Sequence, residues 1–286
     1  MRPASVEYTS PPEPDLFFIM DGRHFAGAGA APVGDDEVAH TLLTQIPTMR
    51  LLLTSDLHYR LRHYDWLLGV AARFDAVVIA GDHIDISSTV SDRVQIAALS
   101  ASLTALSHES RLLVCSGNHD LDSRNPQGEK TAAWLDAVRS GTLAIDGDTV
   151  HIADTMFTVC PWWDGPHARE AVAALLAEAA SKRTGRWIWV YHAPPEGPLS
   201  WTGKRHFGDP ALPALIAQYA PSAVLCGHIH EAPHKKDGSW FDRIGNTWLF
   251  NAGNQIGDIP ARIEIDFDAQ VARWITMEGV EEQALG

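Results

Sequence analysis

The chain has 286 residues, a formal net charge of -14, 45% apolar residues and 3 cysteines. That size and composition describe a globular protein with a real core, and no run of 18 apolar residues is present to cross a membrane. The acidic balance argues against nucleic acid polymers or an anionic membrane as partners. Residues 1–48 carry Pro11, Pro12 and Pro14, an apolar island LFFIM over 16–20, and the linker-like GAGAAPVG. They read as an N-terminal extension with at most one short strand, Leu16 to Met20, and lack the apolar core of a secretory signal. Met49-Arg50, directly before the first strong strand, would also suit a shorter start. From residue 49 to 286 the chain reads as one domain. RLLLTSD is a strand entering a polar loop, YDWLLGVAARF has helical spacing, DAVVIAGD is strand into loop, 90–107 is helical, and RLLVCSGNHD is again strand into loop. Continuous apolar strands alternating with helices predict an α/β domain with strands buried on both faces. TLAIDGDTVHIADTMFTVCPW reads as short antiparallel strands joined at a G-D turn. AREAVAALLAEAASKRTG is a helix, RWIWVYHAPP a strand, PALPALIAQYAPSAVLCGHIH a helix then a strand, and NTWLFNAG, ARIEIDFD and VARWITM are three more strands. Strands are too many for one doubly wound sheet; two packed sheets with outer helices fit better. Cys115, Cys160 and Cys226 each end an apolar run and form no C-x-x-C pair, which predicts reduced core thiols in a cytoplasmic protein.

Five strand ends carry metal-competent side chains. They are Asp56 and His58, then Asp82 with Asp85, then Asn118, His119 and Asp120, then His192, then His228 and His230. Strand ends on one edge of a parallel sheet converge on a single crevice. The set mixes imidazole, carboxylate and one amide without thiolate, which suits Mn, Fe, Zn or Co rather than a structural zinc. It exceeds what one tetrahedral ion uses, so two divalent ions sharing a carboxylate are expected. In extended backbone, residues i and i+2 share a side, which would aim both members of D-x-H and of H-x-H into one cavity.

The ordered pattern D-x-H, G-D-x-x-D, G-N-H-D, H, G-H-x-H resembles the calcineurin-like metallophosphoesterases, over residues 50 to about 275. That resemblance implies a four-layer α/β/β/α sandwich of two mixed sheets with flanking helices. It also implies a ligand set: Asp56, His58 and His230 on one metal, Asp82 bridging, and Asn118, His192 and His228 on the other. His119 is then the general acid at the leaving oxygen, Asp85 an acid that orients it, and a metal-bridging hydroxide the nucleophile. The implied activity is hydrolysis of a small phosphodiester or phosphomonoester. YHAPPEGP and LCGHIHE look most like the small bacterial-type group that includes cyclic-nucleotide phosphodiesterases. GDHIDIS and SGNHDLD depart from the protein-phosphatase pattern, and the compact acidic chain argues against the nuclease-type branch. A non-catalytic scaffold of the same fold is the alternative of another class, and the complete ligand set argues against it. A metal amidohydrolase would place H-x-H on its first strand, whereas here it comes last.

Other residues divide between a site role and a bland one. Trp162 and Trp163 line the cleft or seal the sandwich edge. Arg205 and His206, with Lys204, meet a phosphate from a long Gly/Pro-rich loop or are solvated. Asn251 and Asn254 border the site and are substrate-binding candidates. His83 touches the ligand set or lies in a surface loop. His63, His108, His151, His167 and His234 fit no block and are expected in solvent.

Overall fold

A computed structural model describes residues 49–286; the expected strand at Leu16–Met20 and the extension as a whole lie outside the described residues. The chain runs β1 (Arg50–Thr54), α1 (Leu61–Val70), β2 (Ala76–Ala80), α2 (Asp92–Glu109), β3 (Arg111–Cys115), the small hairpin β4 (Ser123–Arg124) and β5 (Lys130–Thr131), and β6 (Leu143–Ile145). It continues through β7 (Thr149–Ile152), β8 (Thr155–Val159), α3 (Pro166–Ser181), β9 (Arg186–Val190), α4 (Leu212–Tyr219) and β10 (Ala223–Cys226). The closing segment is all strand: β11 (Phe241–Ile244), β12 (Thr247–Asn251), β13 (Arg262–Asp266), β14 (Val271–Ile275) and β15 (Val280–Ala284).

Two mixed sheets result. One has the order β15-β14-β13-β1-β2-β3-β6 and the other β11-β12-β10-β9-β8-β7. The strands that carry the motif blocks, β1, β2 and β3 in one sheet and β9 and β10 in the other, each run parallel to their block-bearing neighbours. Alternation explains why these strands read as unbroken apolar runs. Leu51, Leu53, Val78, Leu113, Ile188, Val190 and Leu225 point between the sheets into one core. Their neighbours Leu52, Val77, Ile79, Leu112 and Val114 point outward under α1 and α2. On the other side Trp187, Trp189, Val224 and Leu249 pack with buried residues of α3 and α4. The layers are therefore helix, sheet, sheet, helix, the architecture that two-faced burial of the strands demands.

The G-D turn does something other than join antiparallel neighbours. β6 pairs in parallel with β3 in the first sheet, while β7 and β8 form an antiparallel pair in the second. Gly147, at φ 84°, supports the turn at which the chain changes sheets. All three cysteines are buried free thiols, and no helix among the described residues is long and apolar enough to cross a membrane.

Candidate metal centre

Three of the five motif blocks leave their strands through a backbone that ordinary residues resist. Asp56 (φ 55°), His58 (φ 42°), Asp82 (φ 55°) and His228 (φ 70°) all lie in the left-handed region. The expectation of an extended D-x-H is thus corrected: the two side chains converge because the chain turns sharply. Such conformations cost on the order of 1–3 kcal/mol each and persist where neighbours over-determine them. Here the loops hold one another. Asp56 N donates to Gly81 O (3.0 Å), His58 N to Asp82 O (3.0 Å) and Tyr59 N to His83 O (2.7 Å). The second sheet ties in through His228 N to the Asp56 carboxylate (3.0 and 3.1 Å) and His192 Nδ1 to Ala80 O (2.6 Å).

The glycines that open the blocks are required by crowding. A Cβ on Gly117 would collide with Asp82 Oδ1 and stand 2.7 Å from His192 Nε2. On Gly81, itself at φ 86°, it would overlap the His192 ring, 2.7 Å from Cγ.

Two groups of ligand atoms result, Asp56, His58, Asp82 and His230 in one and Asp82, His192 and His228 in the other, each within 4.8 Å. Asp82 belongs to both. His58 Nε2 and His230 Nε2 face each other at 2.9 Å, and His230 Nε2 lies 3.3 Å from Asp56 Oδ1. His192 Nε2 is 3.4 Å from Asp82 Oδ2. Because His192 Nδ1 donates to a carbonyl, Nε2 is the nitrogen left to face the cluster, free to offer a lone pair when a cation displaces its proton, and it is buried without a hydrogen-bond partner. Asn118 Oδ1 is likewise buried without one. Buried acceptors left unpaired cost free energy unless something binds them, and a divalent cation fits this nitrogen-and-oxygen donor set.

The charges agree. Burial opposes ionisation of Asp56 and Asp82, yet the hydrogen bond from His230 to Asp56, and the charge of His192 on Asp82, hold both carboxyls below the usual range. Burial also disfavours protonated His192, but the Asp82 charge beside it outweighs burial and raises it to about 9. His230 is raised against burial by its hydrogen bond to Asp56. Burial, with the nearby charge of His192, pushes His228 down to about 4. Two buried carboxylates therefore draw positive charge to their centre.

His119 lies beside this cluster. Its main-chain N donates to Asp82 Oδ1 (2.9 Å), its Nε2 is 3.9 Å from Asp82 Oδ2, and its ring meets that of His58 edge-on at 4.8 Å. His58, His119 and His230 form one wall of a cleft of about 380 Å³. Asp85 is on the same cleft, but the structure corrects its expected role. Its Oδ1 accepts from Ser87 N, its main chain is clamped by Gln95, and His119 Nδ1 has no partner among the described residues. The acid that organises the loops is Asp120, fully buried, whose oxygens accept from Asp82 N, His83 N, Ile84 N and Gly117 N at 2.8–3.0 Å. Its signal in the sequence was its place closing G-N-H-D.

Trp162 packs against the rings of His228 (5.3 Å) and His192 (5.6 Å), and Trp163 stacks on Trp162 while facing Tyr191. Arg205 and His206 are not among the residues lining the cleft. Arg205 lies over Phe207, and His206 donates to Gly197 O, so both side chains are engaged within their own loop. Asn251 is corrected too. It is fully buried, donates both amide hydrogens to Leu199 O and Ile229 O, and accepts from Gly253 N, which leaves no donor for a substrate phosphate. Asn254 borders the cleft and donates to Asp56 O (2.6 Å). Two histidines differ from expectation: His83 is buried between Tyr64 Oη and Cys115 O, and His63 is buried against Gly257 O. His234 is exposed, as expected, and lines the cleft. Arg60, also on the cleft, was not singled out from sequence.

Residues 49–232 match the model of the calcineurin-like phosphoesterase family. Among solved structures, the chain is similar to TT1561 of Thermus thermophilus, with 14% identity, a TM-score of 0.52, and coverage of 84% of this chain and 100% of that one. It is also similar to the purple acid phosphatase PPD1 of yellow lupin (Lupinus luteus) seeds, with 12% identity and a TM-score of 0.53. That match covers 84% of this chain and 52% of the lupin chain. At these identities both show a shared fold. A comparison with curated proteins found no match.

Proposed function

Since this chain belongs to the calcineurin-like phosphoesterase family, we propose that it hydrolyses a small phosphate ester, a diester in preference to a monoester, at a centre for two divalent cations. The observation that carries this reading is the Asp82 carboxylate shared by two ligand groups. Asp56, His58 and His230 would hold one ion, Asn118, His192 and His228 the other, and Asp82 both. The ions, Mn, Fe, Zn or Co, supply neutralisation of phosphoryl charge and a nucleophile at neutral pH. The preference for a diester rests on the likeness of YHAPPEGP and LCGHIHE to the bacterial phosphodiesterase group. Residues 49–286 form the catalytic domain and 1–48 an extension to it.

The chain's own residues do the rest. Asp82 fixes His119 through its main-chain N, so the imidazole stands over the cleft with Nε2 toward the ligand cluster. From there it gives its proton to the leaving oxygen, a role typically worth about 10²–10⁴-fold. Trp162 covers His192 and His228 and keeps water from their outer faces.

The test is the apoprotein reconstituted with each metal and assayed on bis-p-nitrophenyl phosphate, p-nitrophenyl phosphate and cyclic nucleotides. Turnover is expected with at least one metal. His119→Ala should bind metal at the wild-type stoichiometry while kcat falls by about 100-fold or more. A His119→Ala enzyme of wild-type rate would remove the proton-donor assignment.

A further inference from the structure

Arg60 supplies the cleft with a fixed positive charge. It follows the D-L-H-Y segment directly and stands at the N-terminal end of α1. Its Nη1 donates to Asn254 Oδ1 (2.7 Å) and Gln255 O (2.5 Å). Asn254 is itself held, by its side chain on Asp56 O (2.6 Å) and by its main-chain N on His230 O (3.1 Å). The flanking residues pin the same two segments together, Arg62 to Asp258 and His63 to Gly257 O. The guanidinium is therefore immobilised by neutral acceptors on one side only. Among the described residues no carboxylate pairs with it, although Asp85 and Glu231 line the same cleft and the chain as a whole is strongly acidic.

A half-buried guanidinium that is held in place but lacks a counter-charge is prepared for an anion, which its planar fork can bind through two N–H groups. Holding it beforehand spares the entropy of ordering a long side chain on binding. Asn254 stands between Arg60 and the main chain of Asp56 and His230. The charge thus meets the cleft one side chain farther out than the ligand cluster, beyond the phosphoryl group that the cluster would hold.

We infer that Arg60 is a specificity residue that binds a second anionic group, carboxylate or phosphate, carried on the alcohol portion of the substrate. The inference rests on the phosphoesterase reading above and narrows it to esters with an anionic end.

The test uses the metal-reconstituted full chain and four esters. p-Nitrophenyl phosphate reports basic turnover, and glycerol 3-phosphate is the ester with a neutral end. 3-Phosphoglycerate supplies a distal carboxylate and 1,3-propanediol bisphosphate a distal phosphate. The wild type should favour at least one anionic-ended ester over glycerol 3-phosphate by about tenfold or more in kcat/KM. Whichever of the two is favoured identifies the anion. In Arg60→Gln, which keeps a hydrogen-bonding amide, that ratio should fall about tenfold or more, mainly through KM, and Arg60→Lys should restore part of it. A wild-type ratio near one, or a loss in Arg60→Gln shared equally by glycerol 3-phosphate, overturns the role of Arg60 while p-nitrophenyl phosphate turnover still upholds the phosphoesterase reading. Absence of turnover on all four esters while bis-p-nitrophenyl phosphate is hydrolysed overturns the role of Arg60 alone, and absence of turnover on that diester as well removes both.

Discussion

Asp120 accepts four main-chain N–H groups from the two loops that carry Asp82 and Asn118, two on each carboxylate oxygen. Burial raises its pKa, and the charge of Asp82 adds to that, so these four donors are the compensation for placing an acid there. Asp120→Asn turns one oxygen into an NH₂ group that faces two donors, leaving them unpaired in the interior. We expect a loss of about 2–4 kcal/mol in urea unfolding, together with weaker metal binding in a titration, because Asp82 and Asn118 ride on the same loops. A variant with the wild-type unfolding midpoint and wild-type affinity would show that the loops hold without this clamp. The sequence marked Asp120 as the closing member of G-N-H-D but did not mark it as a clamp rather than a ligand. Its role depends on backbone groups that converge only after β2 and β3 pair.

Between elements, the crossing from β6 to β7 joins the two sheets and carries a titrating group. Asp146 follows β6 and accepts from Ser116 N at the end of β3 (2.8 Å). Burial pushes its carboxyl up to about 7, whereas an unfolded Asp titrates near ~4. Between those values the folded chain keeps a proton that the unfolded chain has released. The associated stability is complete below pH ~4 and is lost as pH rises to about 7. Asp146→Asn stays neutral and keeps an oxygen for Ser116 N. Its unfolding free energy relative to wild type should therefore rise by about 1–3 kcal/mol between pH ~4.5 and pH ~8. Parallel profiles for the two proteins would refute the raised carboxyl of this partly buried acid. The elements themselves were legible wherever burial imposed a pattern: α1 to α4 and the central strands follow their apolar spacing. β11 and β15 escaped notice because FDRI and VEEQA show little apolar alternation. They occupy sheet edges, where pairing with β12 and β14 holds them and little side chain is buried. The site was legible as residue types in order, but its geometry was not, since left-handed turns at Asp56, His58 and His228 replace the extended backbone that spacing suggested. Asn251 and His206 both donate to carbonyls, and in a sequence a polar side chain near a site reads alike whether it meets a ligand or a carbonyl.

At the scale of the molecule, the candidate ligands come from both sheets. Asp56, His58, Asp82 and Asn118 follow β1, β2 and β3, while His192, His228 and His230 follow β9 and β10. A cation held by both sets would fasten the sheets at the edge where their strands end, so metal binding and global stability must be linked. An ion at roughly 100 times its Kd adds about 2.7 kcal/mol to the folded state. For a domain of this size that is roughly 5–10 °C in Tm. We expect calorimetric melts of the full chain to rise by that order between chelator and saturating metal. In Asp82→Ala, which removes the carboxylate common to both groups, the shift should shrink to a small fraction of the wild-type value, whatever the variant's own Tm. His119→Ala, which leaves every proposed ligand in place, should keep it. Equal metal-induced shifts in wild type and Asp82→Ala would mean that the ions bind elsewhere, and the assignment of one shared centre between the sheets would be wrong.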